Sequence, residues 1–272
     1  MALDLDASYS RNFVTKVTQG VPLQDALDSS IASETNLRKI FATDRTNELI
    51  KDPYIGLVDI FDAPDAIKRI HARDVPDDDD NPLRFTKHVF PLKAKARVAS
   101  GEYAMTSTLE DFRTSWNVFT EGALSQLTDW TGVVAGGGAV LASLLPLPAH
   151  ARGSKRAIRK YFHGETYSTS DIDLFLYGMT PEQAEKKAVQ IYNAVRDSVP
   201  WGTSLFAYRF RSDTRFIDTV CVRTKHSIAI HSQFPYRPVQ IVLRLYSSPA
   251  EILAVRHRYA TLNLRLNLLI GF

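Results

Sequence analysis

The apolar positions set the first expectations. Leu37, Ile40 and Phe41 recur at steps of three and one, one face of a helix, and Ser33-Glu34-Thr35-Asn36 supplies a start. Residues 1–52 therefore read as polar and helical, with pieces near 22–29 and 33–42. Residues 54–61 are almost continuously apolar and predict a buried strand closed by Asp62-Ala63-Pro64, after which Pro64 opens a short helix through Ile70. Residues 74–82 read as a loop, 85–92 as a second strand, and Gly101 as a boundary. From Thr108, the spacing of Phe112, Trp116 and Phe119 predicts a helix that Gly122 interrupts and that Leu124 and Leu127 carry on to Trp130. Helical spacing already explains those aromatics, so they read as core rather than as a base-stacking platform.

The second half carries a sharper pattern. Across 170–176, Ile172, Leu174 and Leu176 alternate with Asp171, Asp173 and Phe175, which predicts a strand. Thr180-Pro181-Glu182 then starts a helix whose buried stripe is Ala184, Ala188, Ile191 and Val195, and Pro200 stops it. Residues 227–233 and 239–246 read as two strands joined by Phe234-Pro235-Tyr236-Arg237-Pro238, and Ser248-Pro249-Ala250-Glu251 is a capping box opening a last helix. Helices and strands intermix, so the expected class is α/β in the broad sense (α+β), with an α-rich extension over 1–105 and a core domain over 106–272.

Composition narrows the setting more than the function. At 272 residues and 44% hydrophobic, the chain is long enough for a sizeable core, and a net charge of +3 by itself implies neither nucleic acid nor membrane. A single cysteine excludes an intramolecular disulfide. The start has acids and no apolar run, and no stretch approaches the roughly 20 apolar residues of a membrane span. An intracellular protein, cytoplasmic or nuclear, is expected. Charge is uneven: from Trp201 onward ten Lys and Arg face three acids, a net +7, which leaves the preceding residues net acidic. Asp77–Asp80 is the densest acidic part and reads as a solvated turn, since the ligand spacing and glycine of a calcium loop are missing. The basic run of Arg152, Lys155, Arg156, Arg159 and Lys160 reads by default as a solvated face, with phosphate steering as the alternative.

Candidate chemistry sits at 130–178. Asp171 and Asp173, two apart on a strand, share a face. Two carboxylates side by side repel in an apolar setting, and a hard divalent cation such as Mg2+ relieves that repulsion. Upstream, Gly136-Gly137-Gly138 precedes an apolar run, the pattern of a loop whose backbone N–H groups meet phosphate on entering a helix. Elsewhere, His163, His226 and His231 lack zinc-ligand spacing, Cys221 reads as packing, and the serines lack a nucleophile-elbow pattern.

The glycine pair before an apolar helix, followed by Ser170-Asp171-Ile172-Asp173 on a strand, resembles the signature of the polymerase-β-like nucleotidyltransferase superfamily. More closely, residues 54–253 are similar to an uncharacterised family from fungi, protists and large DNA viruses, some of whose members are described as ankyrin-repeat proteins. The stretches that carry this include VVAGGGAVLASLLPLP, SDIDLFLYGMTPEQAE and SIAIHSQFPYRPVQIVLRLYSSPAEIL. The resemblance implies a nucleotidyltransferase-like mixed sheet flanked by helices, with a nucleoside triphosphate over the glycine loop and Mg2+ on paired carboxylates. Carried over by position, Gly137 and Gly138 approach phosphate, Ser170 orients the site, and Asp171 and Asp173 are the catalytic metal ligands. Active members draw a third carboxylate from a later strand. Here Gln240 and Arg244 are not acids, while Asp218 and Glu251 read as surface and cap residues. Two functional readings stand: transfer of a nucleotidyl group to a hydroxyl of a nucleic-acid or protein acceptor, or an inactive binding or scaffold module of the same fold. In a third, purely structural reading, Asp171 pairs with Lys155 or Arg156 and the glycines only form a tight turn.

Overall fold

The computed structural model describes residues 8–72, 98, 101–199, 219–256 and 268–269. The expected loop at 74–82, the strand at 85–92, the stop at Pro200 and the residue Asp218 lie outside them. The chain divides into two compact units, one of residues 1–109 with 247–272, the other of 110–246.

The first unit opens with helices α1 (Tyr9–Thr18) and α2 (Leu23–Thr43). α2 joins the two expected pieces into one helix, because Leu37, Ile40 and Phe41 are buried together against Tyr9 and Ile55. The strand expected at 54–61 is instead a series of turns, with only β1 (Val58–Asp59) extended. Local polar groups decide this. The Asp52 carboxylate accepts from the Tyr54 N–H at 2.9 Å, that of Asp59 accepts from the Phe61 N–H at 3.0 Å, and Gly56 takes a φ of +73°. Such side-chain to backbone bonds offer the chain an alternative to a ladder. Ile55 and Ile60 are still buried, so the apolar run reached the core without forming a strand. Pro64 opens the short helix α3 (Asp65–Lys68) as expected, and the helix ends two residues before Ile70.

The second unit begins in α4 (Leu109–Thr120), whose Phe112, Trp116 and Phe119 are all buried core. Glu121 at φ 51° and Gly122 at φ +73° end it, so residues 121–126 are turns and not the helical continuation to Trp130. Strand β2 (Val133–Gly136), not anticipated from the pattern, leads into α5 (Gly138–Leu144). Then come α6 (Lys155–Lys160), a π-helical turn over Tyr161–Thr166, β3 (Ile172–Tyr177) and α7 (Pro181–Ser198). α7 has the expected cap, proline and early acid, and adds a reciprocal bond with Gln183. The Thr180 hydroxyl accepts from the Gln183 N–H, and the Gln183 side chain accepts from the Thr180 N–H. Its buried stripe is Ala184, Lys187, Ile191, Ala194 and Val195, with the Lys187 ammonium reaching Asp129 at 2.7 Å.

Strands β4 (Thr219–Arg223), β5 (Ser227–Ser232) and β6 (Val239–Tyr246) complete a mixed five-stranded sheet in the order β2-β3-β6-β5-β4. β3 and β6 run parallel and the other neighbours antiparallel. One face of the sheet is core: Ile172, Leu174, Leu176, Ile230, Val239 and Ile241 are buried there. α7 packs on β5 and β6, and α5 on β2 and β3. The fold is thus α+β, a mixed five-stranded sheet flanked by helices with a helical N-terminal region. In the first unit, α8 (Pro249–Arg256) follows β6; at its start the Ser248 hydroxyl accepts from the Glu251 N–H at 3.2 Å, as the capping box requires, while the Glu251 carboxylate accepts from the Ser247 N–H, and β7 (Leu268–Leu269) pairs in parallel with β1. Among the described residues, no helix is long and apolar enough to cross a membrane.

Candidate functional site

The opposite face of the sheet holds the candidate chemistry. Strand registry places Gly136, Asp173, Gln240, Ala229 and Val222 in one row running across all five strands. Asp173, Gln240 and Ala229 are half-buried and Val222 is exposed, so the row stands where solvent and ligand reach it. Period-2 alternation puts Asp171 on the same side, one residue before the ladder of β3 begins.

Asp173 is the centre of the row. Its Oδ1 accepts from the Gln240 Nε2 amide at 2.8 Å, and the Gln240 Oε1 in turn accepts from the Ser227 hydroxyl at 3.3 Å. The other oxygen, Oδ2, lies against the glycine loop: a Cβ built on Gly137 would stand 2.6 Å from it. Gly137 also has φ +75° and ψ −151°, a region essentially closed to residues with a side chain. Gly136 is tight in another way, since a Cβ there would lie 2.9 Å from the Phe175 ring. Gly138 is exposed, and a Cβ on it would meet nothing within 4 Å. The sequence-predicted pairing of glycine loop and carboxylate is therefore a direct approach at Gly137, whereas Gly138 is only adjacent.

Ser170 contributes through its backbone. Its N–H donates to the Tyr167 carbonyl at 3.2 Å, and its carbonyl accepts from the Arg237 guanidinium at 3.0 Å. The next peptide N–H, that of Ile172, donates to the Pro238 carbonyl at 2.9 Å.

Glu121, His163 and Arg237, with largely buried side chains, and the exposed Arg159 form a polar cluster that the pattern did not reveal. Glu121 receives two bonds from Arg159, at 2.5 and 2.6 Å, and stands 3.1 Å from the His163 Nε2. A nearby carboxylate favours a charged imidazole, but burial is the larger influence and holds the His163 pKa below its usual value. The Nε2 also lies 3.3 Å from the Val118 carbonyl, so a single Nε2–H faces both acceptors. Arg237 is 3% exposed, with its guanidinium 3.9 Å above the Phe119 ring. Its presence in the link between two strands was visible in the sequence; that it turns inward was not.

Other candidates resolve as follows. Glu251 is fully buried in the first unit, where it accepts from the Ser247 N–H and hydroxyl and pairs with Arg45 at 2.9 Å, the work of a cap. The α6 cations Lys155, Arg156, Arg159 and Lys160 are exposed, and Arg159 is engaged with Glu121. Cys221 is exposed on β4 rather than packed, and what burial it has pushes its thiol up, away from the thiolate a nucleophile needs. Among the described residues no group of three or more His, Cys, Asp or Glu gathers. What the site offers a hard cation is the pair of half-buried carboxylates, Asp171 and Asp173, an oxygen donor set of the kind that Mg2+ takes together with water and phosphate oxygens. The chain matches no family model, no curated protein and no solved structure.

Proposed function

We propose that the open sheet face is a nucleotide-binding site of nucleotidyltransferase type, in which Asp171 and Asp173 hold Mg2+ on the phosphates of a nucleoside triphosphate beside Gly137 and Gly138. We further propose that this chain binds without transferring. The observation that carries the reading is the setting of Asp173, one oxygen on the Gln240 amide and the other against a backbone open only to glycine. A close backbone approach at glycine is what a phosphate loop requires, and a carboxylate fixed next to it places cation and phosphate within reach of each other. Mg2+, when bound, supplies neutralisation of phosphate charge. The protein's own part is to orient the two carboxylates and keep Gly137 bare.

Gln240 favours binding over transfer. It occupies the strand position beside Asp173. An amide neither accepts the acceptor hydroxyl's proton nor adds negative charge for a second cation. Calorimetry of a nonhydrolysable triphosphate, with and without Mg2+, tests the reading on the wild type and on Asp171→Asn/Asp173→Asn, with thermal unfolding of both. Mg2+-dependent binding is expected in the wild type and is lost in a still-folded double variant. A well-folded wild type that binds nothing refutes the site. Transfer of label from a radioactive triphosphate to any added hydroxyl acceptor refutes the binding-only form and establishes the enzyme. A double variant that simply unfolds returns the aspartates to a structural role.

A further inference from the structure

Asp173 and Asp171 are held in different ways. Asp173 lies inside the sheet, with β2 on one side and β6 on the other, so the ladder fixes its backbone. Asp171 precedes the ladder. Its backbone is fixed instead by the two peptide groups that flank it. The Ser170 carbonyl accepts from Arg237, and the Ile172 N–H donates to Pro238. Arg237 and Pro238 are consecutive, so one dipeptide grips the chain on both sides of Asp171.

Arg237 does more than hold Ser170. Its Nε donates to the Phe119 carbonyl at 2.9 Å, its Nη2 to the Phe162 carbonyl at 2.8 Å, and its Nη1 to both Ser170 at 3.0 Å and Tyr167. These four carbonyls come from the last turn of α4, the π-helical turn and the bend that leads into β3. A carbonyl oxygen has two lone pairs, so the Phe162 and Tyr167 carbonyls accept from Arg237 as well as from the Tyr167 and Ser170 N–H groups, each at 3.2 Å. A planar fork of five N–H groups meets several such acceptors at fixed angles, which a lysine ammonium does not. Burial pushes the Arg237 pKa down to about 10, with Glu121 acting in the opposite direction, so the group stays charged at neutral pH.

We propose that Arg237 is the positioning residue of the candidate site: by tying the Ser170 carbonyl to α4 and to the π-turn, it sets where the Asp171 carboxylate stands relative to Asp173. The functional half of this rests on the nucleotide-site reading above; the positional half does not. Two variants, Arg237→Lys and Arg237→Gln, are compared with Ile191→Ala, a core truncation in α7 that lowers stability without touching these bonds. Native-state amide exchange is read at Ser170 and Ile172 against Leu174, and Mn2+ affinity is read by titration with Mn2+ alone.

The expected result is exchange at Ser170 and Ile172 at least tenfold faster in both Arg237 variants, with Leu174 changed much less. Mn2+ binding is weakened at least fivefold, and more in Arg237→Gln than in Arg237→Lys. Ile191→Ala shifts all three amides together and leaves Mn2+ affinity near the wild-type value. Uniform acceleration in the Arg237 variants, matching that of Ile191→Ala, overturns the proposal. So does local acceleration with unchanged Mn2+ affinity, because the carboxylates then stand correctly without Arg237. A wild type that binds no Mn2+, with exchange still selectively fast in the variants, instead refutes the nucleotide-site reading and leaves Arg237 as the residue that fixes the entry to β3. Should Arg237→Gln fail to fold, the Arg237→Lys comparison alone decides.

Discussion

Asp173 is read through its two neighbours, Gly137 and Gln240. At Gly137 any side chain meets both the Asp173 carboxylate at 2.6 Å and a backbone conformation reserved for glycine. Gly137→Ala therefore costs about 1–3 kcal/mol in stability, the price of a residue held in that region, and it displaces Asp173 Oδ2. The expected outcome is a lowered denaturation midpoint together with loss of Mg2+-dependent triphosphate binding. Gly138→Ala, with nothing within 4 Å of the added carbon, is the control for stability and leaves the denaturation midpoint nearly unchanged. Gln240 gives the complementary experiment. Gln240→Glu replaces the amide that donates to Asp173 with a second carboxylate 2.8 Å away in the native arrangement. Like charges so placed repel, and a donor is lost. This variant is expected to be less stable than wild type at neutral pH, to regain stability toward acid pH as one carboxyl is protonated, and to be stabilised by millimolar Mn2+ more than wild type is. Equal Mn2+ responses in thermal unfolding would sink the idea that this row of the sheet is a cation site.

At the scale of elements, the sequence was most legible where two signals coincided. α7 has a capping box, a proline at its first position and a periodic stripe, and it formed within those limits. The stripe itself differed in one respect. Lys187 is buried with its ammonium on Asp129, a snorkelling arrangement that apolar periodicity does not register. β3 was legible from alternation, yet Phe175 on its polar side is buried against Tyr246, with ring centroids 6.0 Å apart. The polar side of β3 is therefore half apolar, with Asp171 and Asp173 at its N-terminal end and Phe175 beyond them. Residues 54–61 failed for a different reason: apolar runs look alike in strands and in buried turns, and the deciding carboxylates, Asp52 and Asp59, act through local hydrogen bonds that period counting ignores. β2 was missed because it is four residues long and ends in the glycines, which read as loop. The site itself was half visible. Spacing showed Asp171 and Asp173 on one face, but Gln240, which bonds Asp173, and Arg237, which bonds the Ser170 carbonyl, each lie 67 residues from their partner in sequence, and the sheet's parallel β3–β6 register brings them in.

Across the whole molecule, each of the two units carries a buried ionisable group whose protonation is linked to its folding. In the second unit it is His163, surrounded by Glu121, Arg159 and Arg237, its pKa depressed chiefly by burial. An unfolded histidine takes up its proton near pH 6.5, while the folded one resists until lower pH. Below about 6.5 the unfolded state therefore binds more protons, and stability falls as the pH drops toward the folded value. In the first unit the group is Glu251. Burial alone raises its pKa, but bonds from the Ser247 N–H and hydroxyl and the Arg45 guanidinium outweigh that and lower it overall. A carboxylate depressed in the folded state stabilises above its unfolded pKa of 4.5, and that contribution disappears as the pH falls through the folded value. Acid destabilisation is thus expected in two stages, the first setting in below about pH 6.5 and the second below about 4.5. A molecule of two units need not unfold as one, so the stages belong to different cores. Calorimetric scans from pH 7.5 to 3.5 check this. His163→Gln, which keeps an N–H for the Val118 carbonyl and cannot titrate, removes the first stage and spares the second. Glu251→Gln shrinks the second and spares the first. A first stage that survives His163→Gln would mean that some other group governs the second unit's response to acid.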